Sequence, residues 1–381
     1  MNMKQWFLPR HPTVSQIERI SPSNFTNFEQ CKLKAVLASI KTPRMLPSGP
    51  AQHLGNIAHK TLKESCRKGM QLDECFEIAW QMSVQEEEAK IGQSWFEKHL
   101  IPIKNQQGYD EKKEQCRVLF KKASSLEPTL EAAPFRSAKR RHEVWLDTED
   151  GRVGGYVDEI AKVDRGEALI DYKSGKIFDE TAKGTTKVPN EHDLKQVKLY
   201  AALYFCNYKV WPKLIRLASL DGSYVDVPFT AEECLLLLVE SYQLLADVNT
   251  IIGELTPDNS AIVSELSMPS AKSCTKCSYR PCCAPYWAAR TELPAEPWPF
   301  DFCGKIIELK ELGNKSLLVK LIQKNEPAET ITIRGLTPDR HPALTEESEF
   351  LAFFSALPDK APHAYHEGKL TTVYSLPREL T

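Results

Sequence analysis

In the segment "ALIDYK" charged side chains alternate with apolar ones, so on an extended strand Asp171 and Lys173 share one face while Ile170 and Tyr172 take the other. A carboxylate and an amine are thereby held side by side. The strand-like stretch before it carries Asp158 in "GGYVDEI", and the one before that carries Glu143 in "EVWLD", both able to face the same hollow. Three carboxylates crowded on one sheet repel one another unless a cation neutralises them, and hard ions such as Mg²⁺ or Mn²⁺ take oxygen ligands. Such an ion polarises a phosphoryl oxygen and lowers the pKa of water, and a neighbouring lysine stabilises developing charge, which is sufficient for phosphodiester hydrolysis. The competing reading of Asp-Tyr-Lys alone is an exposed strand end with a surface ion pair.

A second group of chemistry-bearing residues is "CTKCSYRPCC", which supplies Cys274, Cys277 and either Cys282 or Cys283 in a tight loop. Three close thiolates need a fourth, and four suit a [4Fe–4S] cluster or structural zinc; spacing alone does not separate the two. The N-terminus lacks the apolar stretch and small-residue cleavage site of a secretory signal, so a cytoplasmic, reducing location is expected. There, eleven cysteines do not read as a disulfide framework. Cys66, Cys75, Cys116, Cys206, Cys234 and Cys303 read as small buried or half-buried apolar residues.

The elements that must position these residues follow from periodicity. "SPSNFTNFEQCKLKAVLASI" predicts a first helix with Ser23 as N-cap, Phe25, Phe28, Leu33 and Val36 on one face, and Cys31 within it. A loop, "TPRMLPSGPAQ", separates it from a helix holding "GNIAHKTLKESC", and residues 72–99 predict a longer one. From Glu143 the period becomes two, predicting three strands in a meander with turns at "TEDG" and "DRGE". Helical spacing returns in "NEHDLKQVKLYAALYFC", where Gln196, Tyr200 and Tyr204 form a stripe, and in a long helix opened by a capping box of Thr230 and Glu233. "RTELPAEPWPF" reads as a linker, and four short strands around one helix, "TEESEFLAFFSAL", follow it.

The order of these pieces resembles the PD-(D/E)XK nuclease superfamily over roughly residues 20–288, specifically its RecB-type exonuclease branch and the CRISPR-adaptation nucleases that carry an iron–sulfur cluster. The matching residues are "SPSNFTNFEQC", "GNIAHKTLKE", Glu143, "GGYVDEI", "IDYKSG" and "QVKLYAALY". The resemblance implies an α/β fold with a restriction-endonuclease-like core, a central mixed sheet with flanking helices. It implies His59, Asp158 and Asp171 as metal ligands, Lys173 as the catalytic lysine, and Gln196 and Tyr200 as supports of the site. Glu143 stands as a further support. The family's cysteine arrangement corresponds to Cys31, Cys274, Cys277 and Cys283 around a [4Fe–4S] cluster with a structural role, although Lys32 stands where the family has proline.

The expected organisation is a nuclease domain over residues 1–289, a linker over 290–300, and a small β-rich, OB-like domain over 301–381. The expected activity is a metal-dependent DNA nuclease acting on single strands or duplex ends, in repair or in defence against foreign DNA. An idle nucleic-acid-binding or scaffolding subunit is the alternative from another class, and an RNase is a third reading. No "GxxxxGK[ST]" is present, so any unwinding would come from a helicase or another partner subunit. The net charge of −2 decides nothing about nucleic acid, since a local basic surface can hide in the total; "RSAKRRH" and "EKKEQCRVLFKK" are the basic runs. No apolar run approaches bilayer-crossing length, so no membrane partner is expected.

Overall fold

The computed structural model describes residues 12–64, 70–124, 140–175, 177–180, 187–323, 329–344 and 348–376. Cys66 and residues 136–139 of the basic run lie outside them. The chain opens with α1 (Pro22–Gln30), α2 (Lys32–Ser39), α3 (Pro50–Lys63), α4 (Leu72–Gly92) and α5 (Tyr109–Ser124). The expected first helix is two. Ser21, not Ser23, precedes α1, and Cys31 adopts an extended φ of −167° that ends α1 and starts α2. The apolar stripe survives the break because Phe25, Phe28, Leu33 and Val36 all enter one core, and Asn24 bridges the pair by donating to Ala35 O at 2.9 Å.

The meander forms as expected from β1 (Arg140–Asp147), β2 (Gly154–Val163) and β3 (Gly166–Lys173), all antiparallel. The β2–β3 turn needs left-handed backbone, which Arg165 supplies at φ 61° beside the permissive Gly166. The short strands β4 (Phe178–Glu180) and β5 (Lys187–Pro189) pair with each other, and α6 (Glu191–Tyr208) then crosses over to β6 (Leu214–Ser219), parallel to β3, with β7 (Tyr224–Val227) at the edge. The five-stranded mixed sheet runs β1-β2-β3-β6-β7. Asn190 caps α6 by accepting from His192 N.

Helices cover both faces of that sheet. On one side α1, α2, α6 and α7 (Ala231–Leu255) pack Phe25, Leu203, Ile215, Leu217 and Leu245 into a core; on the other, α3, α4 and α5 pack Leu54, Phe76, Trp80 and Phe120 against Ile170 and Tyr172. Each such large side chain contributes about 1.5–3 kcal/mol by leaving water. Cys116 and Cys234 are buried in these cores as expected, whereas Cys75 is disulfide-bonded rather than a thiol. The α7 helix has the expected capping box, with Thr230 and Glu233 exchanging backbone bonds. By length and composition alone α7 could cross a bilayer, contrary to the expectation from the sequence. In this fold one face lies in the core through Leu237, Leu238, Leu245, Val248 and Ile252, and Tyr242 donates to Asp150 on the β1–β2 turn.

After α8 (Asn259–Leu266), α9 (Ala271–Thr275) and α10 (Ala284–Glu292), the chain builds a seven-stranded sheet, where four strands were expected. Its strands are β8 (Phe302–Glu311), β9 (Leu317–Ile322), β10 (Thr330–Leu336), β11 (Phe350–Phe354), β12 (Leu357–Pro358), β13 (Ala364–His366) and β14 (Thr372–Ser375). Of the expected helix "TEESEFLAFFSAL", residues 345–347 lie outside the described residues and Phe350–Phe354 form β11 instead. Leu351, Ala352, Phe353 and Phe354 are all buried between β8 and β14, so both faces of the strand are apolar and periodicity cannot distinguish it from a helix. The proline-rich connection is held down: Trp298 donates to Leu293 O, and Arg290 donates to Pro299 O. A buried ion pair, Arg280 Nε to Asp301 Oδ2 at 2.6 Å, ties the cysteine loop to the start of β8.

Candidate active site

Six of the sequence-predicted residues, His59, Asp158, Asp171, Lys173, Gln196 and Tyr200, meet in one cleft of about 1180 Å³, whereas Glu143, expected to face the same hollow, is not among its lining residues. Asp171 and Lys173 end β3, where the sheet opens toward the start of α6. Lys173 Nζ lies 2.9 Å from Asp171 Oδ2 and 3.0 Å from Asp193 Oδ1, and donates to Gln196 Oε1 at 2.8 Å. Gln196 Nε2 in turn donates to Asp171 Oδ1 at 2.8 Å, so one amide orients both the acid and the amine. Asp171 Oδ2 is buried and, despite its ion pair with Lys173, has no partner in hydrogen-bond geometry. The Lys173 ammonium offsets part of the cost of burying that carboxylate.

Asp158 Oδ2 accepts from Tyr172 N at 2.8 Å and stands 3.8 Å from His59 Nδ1. The β1–β2 ladder skips the Glu143–Asp158 pair, and Glu143 has a φ of 47°, in the left-handed region that a side chain enters at a cost of order 1–3 kcal/mol. Its carboxylate pairs with Lys63 Nζ of α3. The α3 helix approaches closely because Gly55 has no side chain: a Cβ there would meet Ser174 Oγ at 2.5 Å. That contact brings His59 over the ends of β2 and β3.

Burial pushes the Asp171 carboxyl up to about 6 against the attraction of Lys173, with Asp158 adding repulsion. Asp158 is raised for the same principal reason. His59 is lowered to about 4 by burial, only partly countered by Asp171, which leaves a neutral imidazole. Burial also opposes the Lys173 ammonium, but Asp171 and Asp193 outweigh it and raise its pKa, so this lysine is a held cation. Oxygen donors from two acids beside a neutral imidazole are of the types that suit Mg²⁺ or Mn²⁺. Among the described residues no three His, Cys, Asp or Glu side chains are already drawn together as a metal-holding group.

Two expected residues act at one remove from the cleft floor. Tyr200 donates to Tyr156 O at 2.6 Å, and a Cβ on Gly155 would come within 3.3 Å of its hydroxyl, so it braces β2. Tyr204 reaches past the site and donates to Glu167 at 2.7 Å. Asp193 was not foreseen. Its place in the first turn of α6 reads as ordinary helix-end charge, but it lies three residues before Gln196 and so extends the Gln196–Tyr200 stripe.

The cysteines converge elsewhere. Cys31, Cys274, Cys277 and Cys283 line one small cavity of about 20 Å³ with Leu33, Leu37 and Tyr286. Cys282 is buried apart from it and donates its thiol to Tyr279 O at 3.3 Å. Burial raises Cys274, pushes Cys277 to about 11 and Cys283 higher still. Four thiols are the donor type of a thiolate-ligated metal group, but among the described residues they are not drawn together as one, and of the two cations on the cavity wall Arg280 is paired with Asp301, leaving Lys34. The volume is that of a water-sized guest, so a cubane requires the walls to move outward.

No curated protein matches the sequence. A family model described as the PD-(D/E)XK nuclease superfamily matches residues 19–284, from just before α1 to the start of α10, and thus the whole five-stranded sheet with the cleft. Members of that superfamily are in general nucleases that hydrolyse phosphodiesters, usually with Mg²⁺ or Mn²⁺, and therefore bind nucleic acid. With more than two-thirds of its length matched, this chain belongs to the PD-(D/E)XK nuclease superfamily.

Proposed function

We propose that this protein is a metal-dependent DNA nuclease of the RecB type, directed to single strands or ends, working in repair or defence beside a helicase or similar subunit. The observation that carries the reading is the convergence of Asp158, Asp171, His59 and Lys173 in one cleft, with the buried Asp171 carboxylate held between the Lys173 ammonium and the Gln196 amide. Asp158, Asp171 and His59 would hold the divalent ion, which supplies Lewis acidity and a water of lowered pKa. Gln196 fixes the orientation of Asp171 and Lys173 together, and Asp193 keeps the lysine protonated. Lys173 then serves as a fixed positive charge for the phosphoryl oxygens as charge builds in the transition state, rather than as a base. The cysteine cavity would hold a structural metal group: a [4Fe–4S] cluster by resemblance, with zinc as the alternative that four thiolates equally suit. In this reading residues 1–289 form the nuclease unit and 301–381 an accessory β unit joined at 290–300.

The test is incubation of the purified protein with end-labelled single- and double-stranded DNA and RNA, with Mg²⁺, Mn²⁺ or chelator. Metal-dependent loss of DNA supports the reading. Binding without cleavage in every metal would make the protein an idle nucleic-acid-binding subunit, and cleavage confined to RNA would make it an RNase.

A further inference from the structure

The wall of the cleft that the carboxylates do not occupy is aromatic. Trp145 of β1 and Tyr156 of β2 are cross-strand partners, with ring centroids 4.8 Å apart in an edge-to-face arrangement. Both line the cleft, and Tyr156 remains 60% exposed. Trp145 is fixed from two sides: its indole N–H donates to Asp147 at 2.9 Å, and the Arg19 guanidinium lies 5.2 Å from its ring centroid. Tyr156 is likewise fixed through its backbone, since Tyr200 donates to its carbonyl. An exposed aromatic ring on a rigid strand, facing an open cleft, is costly to leave in water and adds nothing to either core.

Its position gives it a use. Tyr156 precedes Asp158 by two residues on one strand, about 6.7 Å along it. The Trp145–Tyr156 step is thus within reach of a strand whose phosphate meets Asp158 and Asp171, and Arg19 lines the same cleft beside Trp145. A base inside a duplex is already stacked on its neighbours and cannot reach this ring; an unpaired one can.

Resting on the nuclease reading, we propose that Trp145 and Tyr156, with Arg19, form a stacking step for an unpaired nucleobase next to the scissile phosphate, which makes single strands or frayed ends the substrate class. Stacking a base on an aromatic side chain is sequence-tolerant and is removed by alanine substitution. Tyr156 is exposed, so Tyr156→Ala leaves the fold intact.

The experiment measures binding in EDTA, by fluorescence anisotropy, of oligo(dT), oligo(U), a fully abasic strand of equal length, and duplex DNA. The parent protein should prefer the base-bearing strand over the abasic one by roughly 5- to 100-fold, and over duplex as well. Tyr156→Ala should abolish the base preference while Tyr156→Phe retains it. A Tyr156→Ala protein that discriminates like the parent overturns the proposal, as does duplex binding equal to single-strand binding. A protein that keeps the base preference but cleaves nothing in any metal would sink the nuclease reading and leave the stacking step standing. One that cleaves normally but ignores the base would do the reverse.

Discussion

At the cleft wall Asp171, Lys173, Asp193 and Gln196 hold one another through contacts of 2.8–3.0 Å, whereas the four thiols between α1, α9 and α10 line a small cavity walled by Leu33, Leu37 and Tyr286. Both places bury ionisable groups contributed from distant parts of the chain. The difference lies in what each would lose with one member. The cleft groups end a strand and begin a helix that the cores on either side already fix, so removing one leaves neighbouring packing in place. The cavity groups join segments more than 240 residues apart, from Cys31 to Cys274, and any metal bound there adds its binding energy to folding. The first should govern rate, the second stability.

The sharpest way to break this contrast is in the cleft. Asp171→Ala or Lys173→Ala should lower kcat at least ~10²- to 10³-fold, as loss of a charge aimed at the transition state does, while Tm and much of the DNA affinity stay with the parent. His59→Ala should instead raise the metal concentration needed for half-maximal rate, more in Mn²⁺ than in Mg²⁺, because an imidazole suits Mn²⁺ better. An unchanged metal titration would make His59 structural.

At the cavity the readouts exchange places. Cys31→Ser should lose the bound iron or zinc and several degrees of Tm together, while Cys282→Ser, whose thiol is turned to Tyr279, should keep both. Iron near four atoms per chain identifies a [4Fe–4S] cluster, and one zinc identifies the smaller guest. A metal-replete Cys31→Ser protein would show that the loop near residue 280 completes its site without the first helices.

Much of the cleft was legible because its residues sit on elements with strong local periodicity. The β2–β3 meander, the Gln196–Tyr200 stripe and the Thr230 capping box all appear where spacing puts them. What stayed hidden depends on contacts no local pattern carries. Asp193 resembles ordinary helix-start charge until Lys173 is found 3.0 Å away. The break at Cys31 leaves the apolar stripe unaltered, and β11 is apolar on both faces, so neither changes the signal being read. Gly55 is the clearest instance, since only the tertiary approach of Ser174 shows why the position lacks a side chain. Gly55→Ala should therefore cost about 1–3 kcal/mol and lower activity too, because Ser174 Cβ as well as Oγ is in the way and α3 must move, carrying His59 with it.

The smallest expected effect tests whether Tyr200 touches the chemistry or only braces the strand that does. Its hydroxyl donates to Tyr156 O at 2.6 Å, and burial raises its pKa far above the ordinary phenol, so it stays protonated and is committed to that carbonyl. Tyr200→Phe removes one buried hydrogen bond and leaves the carbonyl of Tyr156 without this partner, which should cost about 1 kcal/mol in urea unfolding. If bracing is its role, kcat at saturating metal should change by no more than the slackening of β2 produces, a few-fold, and the loss should appear mainly in KM as Asp158 and the Tyr156 ring lose their fixed spacing. A kcat collapse comparable to that of Lys173→Ala, with stability unchanged, would instead place the tyrosine hydroxyl among the reacting groups and erase the distinction between the cleft floor and its support.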